Sequence, residues 1–259
     1  MNALLLVLAG LTGLVVGSFL GVVIVRVPGG ASLWPRSACP ACQTLISARD
    51  NLPVVSWLVL RGRCRSCATA IPWRYPAVEV STAALFVGVA AWLGWSWALP
   101  AFAYLAAVCL ALTVIDWRVR RLPNAIVLPS YPILVALLTL AAAMSGDWGA
   151  LARALIGGVI LSAFYWTVCL VVPRGMGLGD AKLSGICGMG LAWVGWGPFA
   201  LGVLAPFALG AAFGVATMIA QRTGRGTSIP FGPWMCAGTA IGCVAGPTLW
   251  TAYGTAVGL

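Results

Sequence analysis

The 259-residue chain is 61% hydrophobic and only 8% charged, with a mean hydropathy of +1.01 and a formal net charge of +10. That composition excludes a soluble globular domain and a disordered chain, and it marks a polytopic membrane protein embedded in a lipid bilayer. The basic residues are spread over several loops rather than gathered on one soluble face, so no nucleic-acid partner is expected.

Apolar runs repeatedly approach the roughly 20 residues needed to cross a bilayer. Nothing alternates with a period of two, so the expected fold is an all-α helical bundle and not a barrel. In chain order, spans are predicted over 2–25, 77–94, 98–115, 125–143, 151–172, 182–197, 199–220 and 232–255, about eight transmembrane helices. The first is too long, and lacks a basic leader, for a cleaved signal peptide. The sixth is short and glycine-rich, which suits a segment of little tilt or one that is partly re-entrant. No sequence repeat stands out.

Fourteen of the fifteen Lys and Arg fall between alternate spans. Loop 26–76 carries Arg26, Arg36, Arg49, Arg61, Arg63, Arg65 and Arg74, and loop 116–124 carries Arg118, Arg120 and Arg121. Arg174 and Lys182 flank the next connection, Arg222 and Arg225 the last, and Arg153 alone lies on the other side. By the positive-inside rule the basic face is cytoplasmic and both termini are outside.

The cytoplasmic loop between the first two spans contains "CPAC" and "CRSC", which supply Cys39, Cys42, Cys64 and Cys67. In a reducing compartment two such pairs point to thiolates on a metal, with redox dithiols as the alternative. Four thiolates make a closed tetrahedral site for structural zinc, and the spacing is close to that of a zinc ribbon. The remaining cysteines, Cys109, Cys169, Cys187, Cys236 and Cys243, lie in apolar spans and read as small hydrophobes.

Only five acids are present. Asp147 reads as a solvated turn residue, Asp50 as a turn residue or an arginine partner, and Glu79 as a helix-start charge or a partner for Arg74. Asp116 and Asp180 are different, since each stands at the cytoplasmic end of an apolar span. The plain reading pairs them with Arg118 and Lys182. The functional reading brings them to one depth as two carboxyls that cannot both ionise, one a base for water and the other an acid for the scissile carbonyl. The chain has no histidine, which removes a Ser-His triad and a His-ligated catalytic zinc. The glycines at 175, 177 and 179 give the segment before Asp180 freedom to wall a substrate strand, and Pro123-Asn124 reads as the turn into the fourth span. A proton- or ion-coupled carrier using the aspartates, and a membrane redox protein using the cysteines, are the competing classes.

In order along the chain, "GSFLGVVIVRVP" (17–28), the paired CxxC motifs, "DNLPVVSWLVLRGRCRSC" (50–67), "RYPAVE" (74–79), "IDWRVRRLPN" (115–124), "GLGDAKL" (177–183) and "PFGP" (230–233) resemble the bacterial type IV prepilin peptidase family. The resemblance implies an intramembrane aspartic peptidase with Asp116 and Asp180 as its catalytic pair. It implies substrates that are prepilins and pseudopilins of type IV pili or type II secretion, in the bacterial inner membrane. Their leader is cut at the cytoplasmic face after a glycine, and the new amino terminus is methylated from S-adenosylmethionine. It also divides the chain into 1–94, the methyltransferase-associated part with the four-cysteine loop, and 98–257, the peptidase bundle. Gly21 departs from the family pattern, which commonly has Asn there, and weak methylation is the expectation that follows.

Overall fold

The structure is a computed structural model that describes residues 3–34, 36–172, 176–221 and 230–258. Arg174, Gly175, Arg222 and Arg225 lie outside the described residues. The chain divides into two compact units, Met1–Leu99 and Pro100–Leu259.

In the first unit, α1 (Ala3–Arg26) and α3 (Arg74–Leu93) flank the four-cysteine loop, which contains the short α2 (Val55–Val59). Apolar lipid gives two helices no hydrophobic reason to associate, so close backbone contact must hold them. Gly13 and Gly17 supply it: a Cβ would stand 2.6 Å from the Ala83 Cα at the first and 2.7 Å from the Glu79 Cα at the second. Gly21 continues the same four-residue stripe, opposite Tyr75. Leu4, Leu8, Leu11 and Val15 are left exposed on α1 to face lipid.

The second unit holds α4 (Leu99–Val119), α5 (Asn124–Ser145), α6 (Trp148–Val171), α7 (Leu178–Val194), α8 (Trp196–Gln221), α9 (Gly232–Val244) and α10 (Gly246–Val257). Its centre is α7, buried along almost its whole length from Asp180 to Ala192. The glycines of this helix are where its neighbours press in. Gly190 meets Leu105 of α4, Gly185 meets the Tyr131 ring of α5, and Gly188 meets the Gly157 backbone of α6. The short, glycine-rich sixth span is thus the helix that five others surround. Leu191 on it also touches the Gly202 and Gly242 positions of α8 and α9.

Among the described residues six helices are long and apolar enough to cross a membrane: α1, α3, α4, α5, α6 and α8. The other two expected spans differ for physical reasons. The sixth, α7, has only 17 residues. The eighth is broken at Ala245 into α9 and α10, because Pro247 lacks the N–H that would reach the Cys243 carbonyl and its ring crowds that turn. Two helix ends also differ: α4 runs past residue 115 to Val119, and α7 begins at Leu178, which puts both Asp116 and Asp180 inside helices.

Candidate active site and metal centre

Asp116 lies in the last turn of α4 and Asp180 in the first turn of α7, and both are buried, with 6% and 8% of their surface exposed. The structure brings both to the same side chain, Leu122, within the second unit. Neither forms an ion pair with Arg118 or Lys182 among the described residues. The Lys182 Nζ instead donates to Asn124 Oδ1 at 3.1 Å, at the start of α5.

Asp116 has a backbone partner. The Gly232 N–H, at the start of α9, donates to Asp116 Oδ2 at 3.2 Å. Asp180 is the third residue of its helix, with its carboxyl beside the N-cap residue Gly177, where a Cβ would stand 3.3 Å from Asp180 Oδ2. That is the position of the acidic member of a capping box. Leu122, in the turn between α4 and α5, lies between the two: a Cβ on Gly179 would stand 2.9 Å from its Cβ, and one on Gly232 3.5 Å from its Cδ2. From α6, the Cys169 thiol reaches the Met176 and Gly177 carbonyls at 3.9 and 3.8 Å, just before the helix that carries Asp180. The fully buried Tyr165 ring stacks on Phe207 at 6.0 Å and tilts against Phe231 at 6.2 Å, an aromatic cluster that adjoins Gly232. Sequence reasoning had marked 230–233 without giving it a role, and it did not single out Leu122 or Tyr165. The only signal for Gly232 was the glycine between Phe231 and Pro233.

In the first unit the four cysteines converge. Their sulfurs all lie within 4.8 Å of one another, with Cys39 to Cys67 at 3.7 Å and Cys42 to Cys64 at 4.0 Å. A Zn–S bond of about 2.3 Å sets a tetrahedral S···S edge of about 3.8 Å, so the cluster fits a metal of that kind. The same turn is built twice. In "CPACQT" the Cys39 N–H bonds the Thr44 carbonyl, and in "CRSCAT" the Cys64 N–H bonds that of Thr69, with Gln43 and Ala68 both at φ 57°. The Thr44 and Thr69 hydroxyls lie 3.3 and 3.2 Å from the sulfurs of Cys42 and Cys67. They are the main cause that holds those two thiols below their ordinary value, while the N–H groups of Cys67 and Ser66 do the same for Cys64. At Cys39 the N–H groups of Cys42 and Ala41 pull the same way, but burial and the neighbouring thiols outweigh them and the value is raised. The Cys-x-x-Cys-x-Thr repeat was missed in the sequence because it is only six residues long.

The other acids are accounted for. Asp50 takes the guanidinium of Arg65 at 2.6 Å, the one ion pair among the described residues. Asp147 caps α6, accepting from the Ala150 N–H at 2.8 Å. Glu79 pairs with neither a helix start nor Arg74. It accepts from the Val54 N–H at 2.7 Å, while Arg74 lies over the Tyr75 ring.

A helical membrane bundle with two buried carboxyls at adjoining helix ends, attached to a four-cysteine unit, is the class these features define. The sequence profile of the bacterial peptidase A24 N-terminal domain matches residues 11–93, and that of the type IV leader peptidase family matches residues 103–215. The prepilin leader peptidase/N-methyltransferase of Stutzerimonas stutzeri is 35% identical, with 97% of this chain and 95% of that protein aligned. Proteins of the same description from Pseudomonas aeruginosa and Neisseria gonorrhoeae are each 35% identical, over 94% and 95% of this chain and 91% and 92% of their own lengths. The chain belongs to the type IV leader peptidase family. No solved structure matches it.

Proposed function

We propose that this chain is an intramembrane aspartic endopeptidase that cleaves the leader of type IV prepilins and pseudopilins after a glycine and then N-methylates the new amino terminus. The observation that carries the reading is that Asp116 and Asp180 are both buried at helix ends on either side of Leu122, with Asp116 held by the Gly232 N–H. One carboxylate takes a proton from water as the oxygen attacks the scissile carbonyl. The other, protonated, donates to the carbonyl oxygen, and the tetrahedral adduct collapses as the departing nitrogen gains a proton. No covalent enzyme intermediate forms. Gly177 leaves backbone exposed beside Asp180 for an extended substrate strand.

On this reading residues 98–257 carry hydrolysis and residues 1–94 carry methyl transfer. Cys39, Cys42, Cys64 and Cys67 would hold a zinc ion that clips the loop; four thiolates close its coordination and leave no position for a substrate. S-adenosylmethionine, when bound, supplies the methyl group: the amine nitrogen bonds the methyl carbon, the S–C pair stays on sulfur as a thioether, and the amine loses a proton. The chain lies in the bacterial inner membrane with its basic loops and active site on the cytoplasmic side and both termini outside, as the distribution of Lys and Arg supports.

The test incubates detergent-solubilised protein with a purified prepilin and labelled S-adenosylmethionine, following leader loss by mass. Cleavage after the glycine, with label in the mature product, is expected. An intact prepilin overturns the reading.

A further inference from the structure

The first unit holds a partly open cavity of about 480 Å³ that the peptidase chemistry does not use. Its size lies within the range of roughly 300–1,000 Å³ for small-molecule sites. It begins where the glycine stripe stops closing α1 on α3. The backbones touch at Gly13 and Gly17, whereas a Cβ on Gly21 would meet only the Tyr75 Cδ1, at an ordinary 3.6 Å. The cysteine loop forms the other walls, with Cys39 and Trp57 among the lining residues.

Glu79 ties the loop to the helix pair. Its Oε2 accepts from the Val54 N–H, and its Oε1 has no partner among the described residues. Val54 is β-branched yet sits at φ 60°, ψ −48°, with the Val55 N–H folded onto the Pro53 carbonyl at 2.5 Å. That is the rare, strained hand of γ-turn, and such strain collects at ligand clamps. A carboxylate, the Arg74 guanidinium and the faces of Trp57 and Tyr75 thus border one space.

We propose that this cavity is the methyl-donor site, with Glu79 facing the cationic end of S-adenosylmethionine and Gly21 leaving room for it. The donor's chemistry matches the walls: sulfonium and ammonium for the carboxylate, its own carboxylate for an arginine, adenine for an aromatic face. This inference rests on the methyltransferase half of the function proposed above.

Tritiated S-adenosylmethionine is titrated by equilibrium dialysis into the full zinc-loaded chain in lipid nanodiscs, and wild type is also photo-crosslinked to the label and digested. Glu79→Gln keeps an acceptor for the Val54 N–H and removes only the charge, while Gly21→Leu fills the space. Both are expected to bind the donor at least tenfold more weakly with prepilin cleavage and zinc content kept, and the wild-type label maps within Met1–Leu99. Undiminished binding in both variants, or label within Pro100–Leu259, overturns the cavity assignment and leaves methyl transfer standing. Wild type that neither binds the donor nor transfers a methyl group overturns the methyltransferase reading, and this inference with it.

Discussion

The Gly232 N–H donates to Asp116 Oδ2 at 3.2 Å and joins residues 116 positions apart. A Cβ on Gly232 would stand 2.9 Å from that same oxygen, so a side chain there displaces the carboxyl or the start of α9. Catalysis by two carboxyls depends on their placement, and a shift of about 1 Å costs about 100-fold in rate. Gly232→Ala is therefore expected to lower the cleavage rate by about 100-fold with the protein still inserted, measured as leader removal per minute. A wild-type rate would show that this contact does not position Asp116.

The glycine stripe of α1 gives a graded expectation. Gly17→Leu drives a side chain into the Glu79 backbone and should cost about 1–3 kcal/mol, as overpacking does. Gly21→Ala meets only an ordinary contact with Tyr75 and should leave stability within about 0.5 kcal/mol of wild type. Thermal unfolding in detergent compares the two, and equal melting temperatures would contradict the proposed packing.

Metal content tests the four-cysteine clip. About one zinc per chain is expected by elemental analysis in wild type, and none in the variant with Cys39, Cys42, Cys64 and Cys67 all changed to Ser. Chelation should make the loop around Trp57 sensitive to protease, since little else there can hold a fold. Equal zinc in both proteins rules the site out.

The Arg65 guanidinium, bonded to Asp50 with help from the Ser47 hydroxyl, holds that carboxyl below the usual carboxylate value. A lowered folded-state value means that the pair stabilises the loop above the unfolded value and loses that contribution as pH falls through the folded one. Wild type should resist proteolysis of the loop better than Asp50→Asn at pH 7, and the difference should begin to shrink below about pH 4 and vanish only once the pH has fallen below the lowered folded-state value. A difference that persists unchanged below that folded-state value would assign the protection to something other than this ion pair.

Much of this was legible in the sequence because lipid imposes it. Runs of apolar residues must be helices, and an acid such as Asp116 or Asp180 at a span end is too costly to be incidental. The cysteine spacing anticipated the convergence of the four sulfurs, and Asp50 found a partner of the expected kind in Arg65, whereas Asp147, read as a solvated turn residue, caps α6. What escaped depends on tertiary contact. Pro247 breaks the last span, yet prolines also lie within the unbroken α5 and α8, at 129, 132 and 206, so local sequence does not decide it. The glycines of α7 read as weakness and turned out to be the packing surface of the central helix. Glu79 read as a helix-start charge or a partner for Arg74, because its backbone partner lies 25 residues away at the start of the short α2.

The most direct measurement is prepilin cleavage by Asp116→Asn and Asp180→Asn, each purified in the folded, membrane-inserted form and followed by mass. Each substitution keeps the side chain's size and removes its ability to serve as acid or base. Complete loss of leader removal in both, with zinc content unchanged, is the expected result. Clear residual cleavage in both would contradict the aspartate pair.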